Sequence, residues 1–258
     1  MLIKPISFLA SILYCLPVAL AAPITFVGSG VISSTGNTVS GTIRFALPGE
    51  AGCSAAAGSM CITLTNTTVG GTLNRSDVLS GFFFDVGSAN PTLTLNSGTG
   101  TVVQNGLPSI TNADLNFTTA GKGRYIVKGA PGTTLGTNIN GVAFPYEYGV
   151  STVGYSGIFN GGQVGNDDFA IVSVGTNLTV SGINSIPLVQ TTATFVIAGF
   201  GTNSLSQLQN VTLGYGSLPD LLQGTTVQTP EPRMEVVLLI VLMLGGLARR
   251  RGANLSYL

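Results

Sequence analysis

The chain has 258 residues, and only 8% of them are charged, against about 25% in an average globular protein. A hydrophobic content of 44% is enough to bury a core, which excludes a disordered chain, and ten basic residues balanced by ten acidic ones argue against binding of nucleic acid. Because the chain contains no His, a Ser-His-Asp triad, a Cys-His pair and an imidazole metal site are also excluded.

The first 21 residues follow the order of a signal peptide. Lys4 supplies a positive charge, residues 6–16 form an apolar run, and after a break Ala19 and Ala21 are the small residues that signal peptidase accepts. We therefore predict cleavage after Ala21 and assign residues 1–21 to a signal helix. The alternative interpretation is a buried N-terminal helix.

Residues 22–225 are predicted to form one all-β domain. Short runs of β-branched and aromatic residues recur between clusters of Gly, Asn, Pro and Ser, and apolar residues alternate with Thr in several of these runs. This pattern favours an antiparallel β-sandwich, jelly-roll-like, with at least eight strands. A Thr/Gly-rich solenoid is the alternative, although no fixed repeat is present. The predicted strands are Ile24–Val27, Thr42–Leu47, Cys61–Thr65, Gly81–Val86, Thr92–Leu95, Arg124–Val127, Phe169–Val174, Leu178–Val180, Ala193–Ala198 and Val211–Tyr215.

Two cysteines remain after the signal peptide, and in an exported protein an even pair predicts a disulfide. Closing the loop between Cys53 and Cys61 would stabilise the fold by about 2.5 kcal/mol. The residues between them are small, so the bridge is expected to fasten the entry of a strand rather than to act in redox chemistry. Two free thiols are the alternative.

Three consecutive phenylalanines, Phe82–Phe84, lie in one predicted strand. They cannot alternate between core and water, so this strand is expected to be buried on both faces or to lie under a loop. The flanking Asp77 and Asp85 are expected to form turns.

Carboxylates near aromatic residues raise the question of glycoside hydrolysis, which needs two carboxyl groups about 5 to 9.5 Å apart. The candidates are Glu147, Asp167 and Asp168. Tyr146, Tyr148 and Tyr155 lie near them in sequence as candidate sugar platforms, although no Trp is present. The same region also reads as a turn, so we predict that the protein is not an enzyme.

The run Asn166, Asp167 and Asp168 is also a candidate for binding Ca²⁺, which takes six to eight oxygen ligands. The run lacks the ligand spacing of a calcium loop. The expectation is therefore no cofactor, with these three residues as the calcium alternative.

Threonines are expected on the exposed faces of two predicted strands, at Thr63, Thr65, Thr92 and Thr94. Regular Thr rows on a flat sheet are one way to match an ice lattice. Because the chain has no repeat, we expect no long regular array, and ice or surface binding is the least favoured alternative.

The C-terminal residues 226–258 have the order of a membrane-directed tail. The motif Pro230, Glu231 and Pro232 precedes a hydrophobic helix predicted at 234–248, and a basic cluster follows it. Arg clusters stay on the cytoplasmic side, which places the body of the protein outside the inner membrane. The uncharged run 236–248 reaches only about 20 Å, so the predicted span is short. The basic cluster is Arg249, Arg250 and Arg251.

This tail resembles the PEP-CTERM sorting signal of Gram-negative bacteria. The resemblance implies recognition by exosortase, a membrane peptidase, transient anchoring in the inner membrane, and export to the cell surface in strains that make exopolysaccharide. Three internal stretches are similar to segments of exosortase-dependent surface proteins, namely Ser76–Asp85, Tyr146–Gly149 and Asn210–Gly216. That group has no established biochemical activity, so the resemblance implies none for this domain.

The sequence therefore predicts an exported, non-enzymatic surface or extracellular-matrix protein, with exosortase, the membrane and exopolysaccharide as its partners. A carbohydrate-binding or carbohydrate-active β-sandwich is the alternative. Between the two ends the chain has eight acidic and five basic residues, so the domain carries a net charge of about −3. With so few charges, its solubility must depend on Thr, Ser, Asn and backbone amides.

Overall fold

The computed structural model describes residues 22–87, 91–120, 124–137, 141–159, 167–217 and 220–227. The predicted signal helix at 1–21 and residues 228–258 of the predicted tail therefore lie outside the described residues, whereas Thr226 and Val227, which the sequence assigns to the tail, belong to the last strand of the sheet. Within these ranges no helix has both the length and the apolar character needed to cross a membrane. The helix predicted at 234–248 lies outside the described ranges. The described strands all belong to one compact unit that ends at Val227.

The described part of the chain contains fifteen β-strands and little helix. The strands are β1 (Ile24–Val31), β2 (Thr38–Ala46), β3 (Ser59–Asn66), β4 (Leu79–Val86), β5 (Thr94–Gln104), β6 (Leu107–Asp114), β7 (Ile126–Gly129), β8 (Gly136–Thr137), β9 (Ala143–Phe144), β10 (Tyr148–Ser151), β11 (Ile171–Val172), β12 (Leu188–Ala198), β13 (Leu208–Tyr215), β14 (Asp220–Gln223) and β15 (Thr225–Val227). The helical pieces are one α-helical turn, Phe117–Ala120, and the 3₁₀ turns Arg75–Asp77, Tyr155–Gly157 and Leu205–Gln207.

Thirteen of these strands form one sheet, in the hydrogen-bonded order β14-β13-β4-β11-β12-β3-β2-β1-β15. β10 and β7 extend from β4, β5 and β6 extend from β12, and β8 pairs with β9 separately. The predicted all-β fold with at least eight strands is confirmed in this coarse form. The predicted antiparallel pairing holds for the other described strand pairs, but the sheet is mixed, because β11 runs parallel to β12. The connection 173–187 is long enough for the crossover that a parallel pair requires.

The main core lies where aromatic residues of β4 meet those of β2 and β12. The ring of Phe45 on β2 lies 6.4 Å from that of Phe82 and 5.8 Å from that of Phe84, and Phe82 lies 6.0 Å from Phe195 on β12. All four rings are fully buried. The branch of the sheet that contains β4 therefore packs face to face on the branch that contains β2 and β12.

The opposite side of β4 is buried as well, which confirms the expectation for the three phenylalanines. Phe83 points away from the main core into a second cluster, where its ring lies 5.0 Å from Phe144 and 5.7 Å from Tyr155. Segment 141–159 supplies these partners, so the strand does lie under a loop. The side of β4 that carries Phe83 is therefore not exposed to solvent.

One predicted strand is absent, and six observed strands were not predicted, namely β6, β8, β9, β10, β14 and β15. Leu178–Val180 forms turns, because the Asn177 side chain accepts hydrogen bonds from the backbone amide and hydroxyl of Thr179 and closes an Asx turn. β6 is exposed along nearly its whole length. A strand without a buried face needs no alternation of apolar and polar residues, so its sequence does not reveal it.

The strand directions define two ends of the unit. β1 begins at Ile24 beside the end of β15, because Thr25 pairs with Val227 in an antiparallel register. We call this end the exit pole. The loop 47–58 that follows β2 lies at the same pole, and the loops 32–37 and 67–78 lie at the opposite end, the far pole.

Candidate functional site

The residues predicted for sorting and signal cleavage cannot be placed in the fold. They lie outside the described residues, so their roles remain predictions. They are Ala19, Ala21, Pro230, Glu231, Pro232, Arg249, Arg250 and Arg251.

The predicted disulfide between Cys53 and Cys61 is confirmed. Its Cα atoms are 5.4 Å apart, and both cysteines are buried. Cys61 lies on β3, and Cys53 lies in the loop 47–58, so the bridge fastens that loop to the sheet as expected. Ala46 and Val196 pack beside it on the neighbouring strands.

The disulfide loop is fixed further by two side chains at its start. The Glu50 carboxylate accepts a 2.7 Å hydrogen bond from the Leu47 amide, and Arg44 donates to the carbonyl of Ala51. Burial raises the pKa of Glu50, while the Leu47 amide and Arg44 act in the opposite direction. The loop therefore has one defined conformation at the exit pole.

Asp167, a candidate for catalysis and for calcium binding, lies in an ion pair. Its carboxylate is fully buried and accepts a 2.5 Å hydrogen bond from Arg75 Nε. Burial raises the pKa of Asp167, and Arg75 partly offsets that rise. The next residue, Asp168, accepts a hydrogen bond from the Thr152 hydroxyl through its backbone carbonyl. Both residues thus fasten the segment after 166 to the body of the fold.

The calcium interpretation finds little support in the part of the chain that the structure describes. Asn166 lies outside the described residues, and the described residues contain no group of three or more acidic, His or Cys side chains placed to hold a metal ion. Asp167 already has a guanidinium partner, which competes with a cation for its oxygens.

Glu147, the other catalytic candidate, acts as a backbone cap. One carboxylate oxygen accepts from the Val86 amide at 3.3 Å, and the other accepts from the Gly132 amide at 3.2 Å. Its own amide donates to Asp85 at 2.7 Å. The two carboxylates hold the loop before β10 against the end of β4, and both already have protein partners.

The tyrosines expected as sugar platforms do not have that role. Tyr148 and Tyr155 are buried in the two cores, because Tyr148 lies on β10 and Tyr155 lies in the 3₁₀ turn Tyr155–Gly157, which together cover β4. Tyr146 is half-buried and stacks on Phe83 with a ring separation of 5.4 Å. The prediction of an aromatic platform at Tyr148 and Tyr155 is therefore wrong.

A feature that the sequence did not predict is a set of hydroxyl rows on the outer face of the branch β15-β1-β2-β3-β12-β5-β6. The first row crosses six strands in the order Thr25, Arg44, Thr63, Thr194, Thr99 and Asp114. The second row crosses five strands in the order Thr225, Val27, Thr42, Thr65 and Thr192. We call this surface the hydroxyl face and define it by the threonines of these two rows.

The hydroxyl face arises from strand register rather than from a sequence repeat. Thr63 and Thr65 point outward as their alternation predicts, but their neighbours come from strands up to about 130 residues away in the chain, as in the 3.1 Å contact between the hydroxyls of Thr65 and Thr192. Strands about 4.8 Å apart and side chains about 6.7 Å apart along each strand set its spacing. Within the first row, charge occurs at Arg44 and Asp114 alone.

The far pole carries exposed apolar side chains and two carboxylates that hold a loop. Val69 and Val174 are 94% and 69% exposed, on adjacent loops. Asp77 is buried and accepts from Asn37 at 2.8 Å, and Asp220 accepts from the Ser33 hydroxyl at 2.7 Å. Asp77 lies in the 3₁₀ turn Arg75–Asp77, but its side chain binds Thr35 and Asn37 of the loop 32–37 instead of its own backbone. Asp85 lies on β4 and accepts from Glu147 and Asn210, so the expectation that these two aspartates form turns with their own backbone is wrong.

Comparison with known proteins gave no relative: no protein-family model, no curated protein and no solved structure matches the chain.

Proposed function

We propose that the protein is an exported, non-enzymatic surface or extracellular-matrix protein whose C-terminal tail is a sorting signal. In this proposal residues 1–21 direct export, the β unit is the mature domain, and the motif at 230–232 is recognised by an exosortase-type membrane peptidase. The hydrophobic segment 234–248 and the Arg cluster hold the chain in the inner membrane until the tail is processed. We also infer that the two packed branches of the sheet form a β-sandwich.

The observation that carries this proposal is the disulfide between Cys53 and Cys61. Disulfides persist in oxidising compartments outside the cytoplasm, where the signal pattern at 1–21 would deliver the chain. The bridge closes a loop of the folded unit. Export and folding are thereby linked by a bond that the cytoplasm would reduce.

The placement of the carboxylates supports a non-enzymatic role. Asp85 and Glu147 accept hydrogen bonds from backbone amides, and Asp167 pairs with Arg75. A general acid or base must reach a reacting group in a cleft. These three carboxylates, which include the catalytic candidates Glu147 and Asp167, instead stabilise loops, which suits a structural domain.

The experiment replaces Pro230, Glu231 and Pro232 by Ala and follows the protein by cell fractionation. The proposal predicts that the variant stays in the inner membrane while the wild type reaches the cell surface. A control variant with Gln228→Ala and Thr229→Ala changes adjacent residues and should be exported normally. Unchanged export of the motif variant would contradict the proposal.

A second candidate function is binding of an uncharged polysaccharide on the hydroxyl face. The observation that favours it is the nearly neutral set of threonines in two adjacent rows, each offering a hydroxyl and a methyl group. A sugar ring presents the same combination of hydroxyl and C–H groups. Exopolysaccharide is the partner that this surface would meet outside the cell. The twist between strands, about 20° to 25° per step, keeps the rows from matching a flat ice lattice.

Electrophoresis in native gels that contain a neutral polysaccharide tests this second candidate. Thr194→Glu places a charge in the middle of the first row and should abolish the retardation of the wild type. Thr134→Glu adds the same charge at an exposed loop position away from the rows and should leave retardation unchanged. Equal retardation of both variants would exclude the hydroxyl face as the binding surface.

A further inference from the structure

The chain enters and leaves the β unit at the same place. Ile24 begins β1, and Val227 ends β15 on the adjacent strand, paired with Thr25. Neighbouring strands lie about 4.8 Å apart, so both predicted membrane-directed segments start from one end of the unit. The exit pole is therefore the part of the unit from which the tail continues.

The linker between the β unit and the sorting motif is very short. Only Gln228 and Thr229 separate Val227 from Pro230, the first residue of the sorting motif. Three residues span at most about 10 Å even when fully extended. A partner that binds the motif must consequently come within about that distance of β15, unless β15 leaves the sheet.

The surface next to Val227 has a defined composition. β1 separates β15 from β2, so Arg44, which is level with Val227 two strands away, lies about 10 Å from it, and the disulfide loop 47–58 starts three residues further along β2. Between its cysteines this loop carries small, uncharged and mostly exposed residues, including Ala56 and Ala57. The loop 199–204 lies against it, with the Gly201 amide donating to the Gly58 carbonyl at 2.9 Å.

We propose that the exit pole, through the disulfide loop 47–58, docks directly on the extracytoplasmic surface of the membrane-embedded peptidase that binds the tail. This inference rests on the proposed sorting function. Its basis is the short length of chain between the last paired residue and the motif. The disulfide holds the loop rigid in the position that would meet the partner.

The occupant is a protein surface rather than a lipid surface. Loops that bind lipid headgroups or insert into a bilayer carry basic residues or large apolar side chains. Every exposed residue of the loop 47–58 is Gly, Ala or Ser, and its one charged residue, Glu50, is buried. Small side chains without charge permit close approach of another protein surface.

The test compares two lysine substitutions in cells that process the wild-type tail, with pulse-chase labelling and intact mass as the readout. Ala57→Lys places a bulky charge on the exit pole and should slow tail removal at least fivefold. Val69→Lys places the same side chain at the far pole and should change the rate less than twofold. Intact mass also verifies that Cys53 and Cys61 remain bonded in each variant.

An insertion of eight Gly and Ser residues after Val227 provides the second arm. With the longer linker the partner no longer needs to touch the pole, so Ala57→Lys should be processed as fast as the inserted wild type. Unimpaired processing of Ala57→Lys without the insertion would overturn the docking proposal. So would a defect that persists with the insertion.

Two further outcomes separate this inference from its alternatives. If Ala57→Lys accelerates processing while Ala57→Glu slows it, the pole contacts anionic lipid, and the proposed protein contact is wrong. If the wild-type tail is never removed, the sorting function itself fails, which differs from normal processing that ignores the pole variants.

Discussion

Two buried tyrosine hydroxyls differ in how they are satisfied. Ser80 donates to the Gly216 carbonyl at 2.8 Å, which leaves its oxygen to accept from the Tyr155 hydroxyl at 2.6 Å. The Tyr125 hydroxyl is buried and has no hydrogen-bond partner among the described residues. A buried hydroxyl without a partner loses its hydration and gains nothing in return.

Removal of each hydroxyl is therefore expected to have a different effect on stability. Tyr155→Phe should lower the free energy of unfolding by about 1–2 kcal/mol, because Ser80 loses its donor in the core. Tyr125→Phe should leave it unchanged or raise it. Urea unfolding of both variants measures the difference, and a larger loss for Tyr125→Phe than for Tyr155→Phe would contradict this account.

At the scale of elements, the sequence predicts which face of a strand is buried better than it predicts which strands pair. The alternation in β3 and the burial of Phe82–Phe84 on both faces follow from side-chain polarity, which each strand carries in its own sequence. On β13 the same reasoning is wrong, because Thr212 is buried although its alternation with Val211 and Leu213 predicts exposure. The parallel pairing of β11 with β12 and the rows of the hydroxyl face depend on register between distant strands. Alternation fixes which face Thr63 occupies, but it does not select Thr194 as its neighbour.

The double burial of β4 can be measured at its middle residue. Phe83→Ala removes a fully buried ring from the second cluster and should lower the free energy of unfolding by about 3–4 kcal/mol. Leu73→Ala, at a position 59% exposed, is the control and should change it by less than about 0.5 kcal/mol. A Phe83 variant as stable as the control would mean that segment 141–159 does not cover β4.

The disulfide acts on the element that it closes. Cys53→Ser combined with Cys61→Ser should lower the free energy of unfolding by about 2.5 kcal/mol, because the unfolded chain regains the freedom of the loop. Thermal unfolding with and without a reducing agent checks this result. The wild type should lose stability on reduction and the double variant should not. Equal melting temperatures in all conditions would show that the bridge does not stabilise the unit.

The whole molecule combines sparse charge with aromatic side chains that are largely buried. Its five described tyrosines all have raised pKa values, chiefly because burial disfavours the phenolate. For Tyr148 burial raises the pKa from 10.0 to about 12, with a contribution from Glu147. The folded state thus holds these protons more tightly than the unfolded state does.

This difference predicts alkaline unfolding with a defined sign. Below pH 10 both states are protonated and stability does not depend on these groups. Above pH 10 the unfolded chain loses protons that the folded chain keeps, so stability falls towards pH 12. Phenolate absorbance and near-ultraviolet circular dichroism should change together. Ionisation of these tyrosines near pH 10 with the fold intact would contradict their burial.

The central claim, an exported domain released from a sorting tail, is tested most directly by the intact mass of the protein recovered from the cell surface. The account predicts a single chain that begins at Ala22, contains one disulfide and lacks the segment after Pro232. A surface form that still carries Leu258 would contradict processing of the tail, and a chain that retains Met1 would contradict export through the signal peptide.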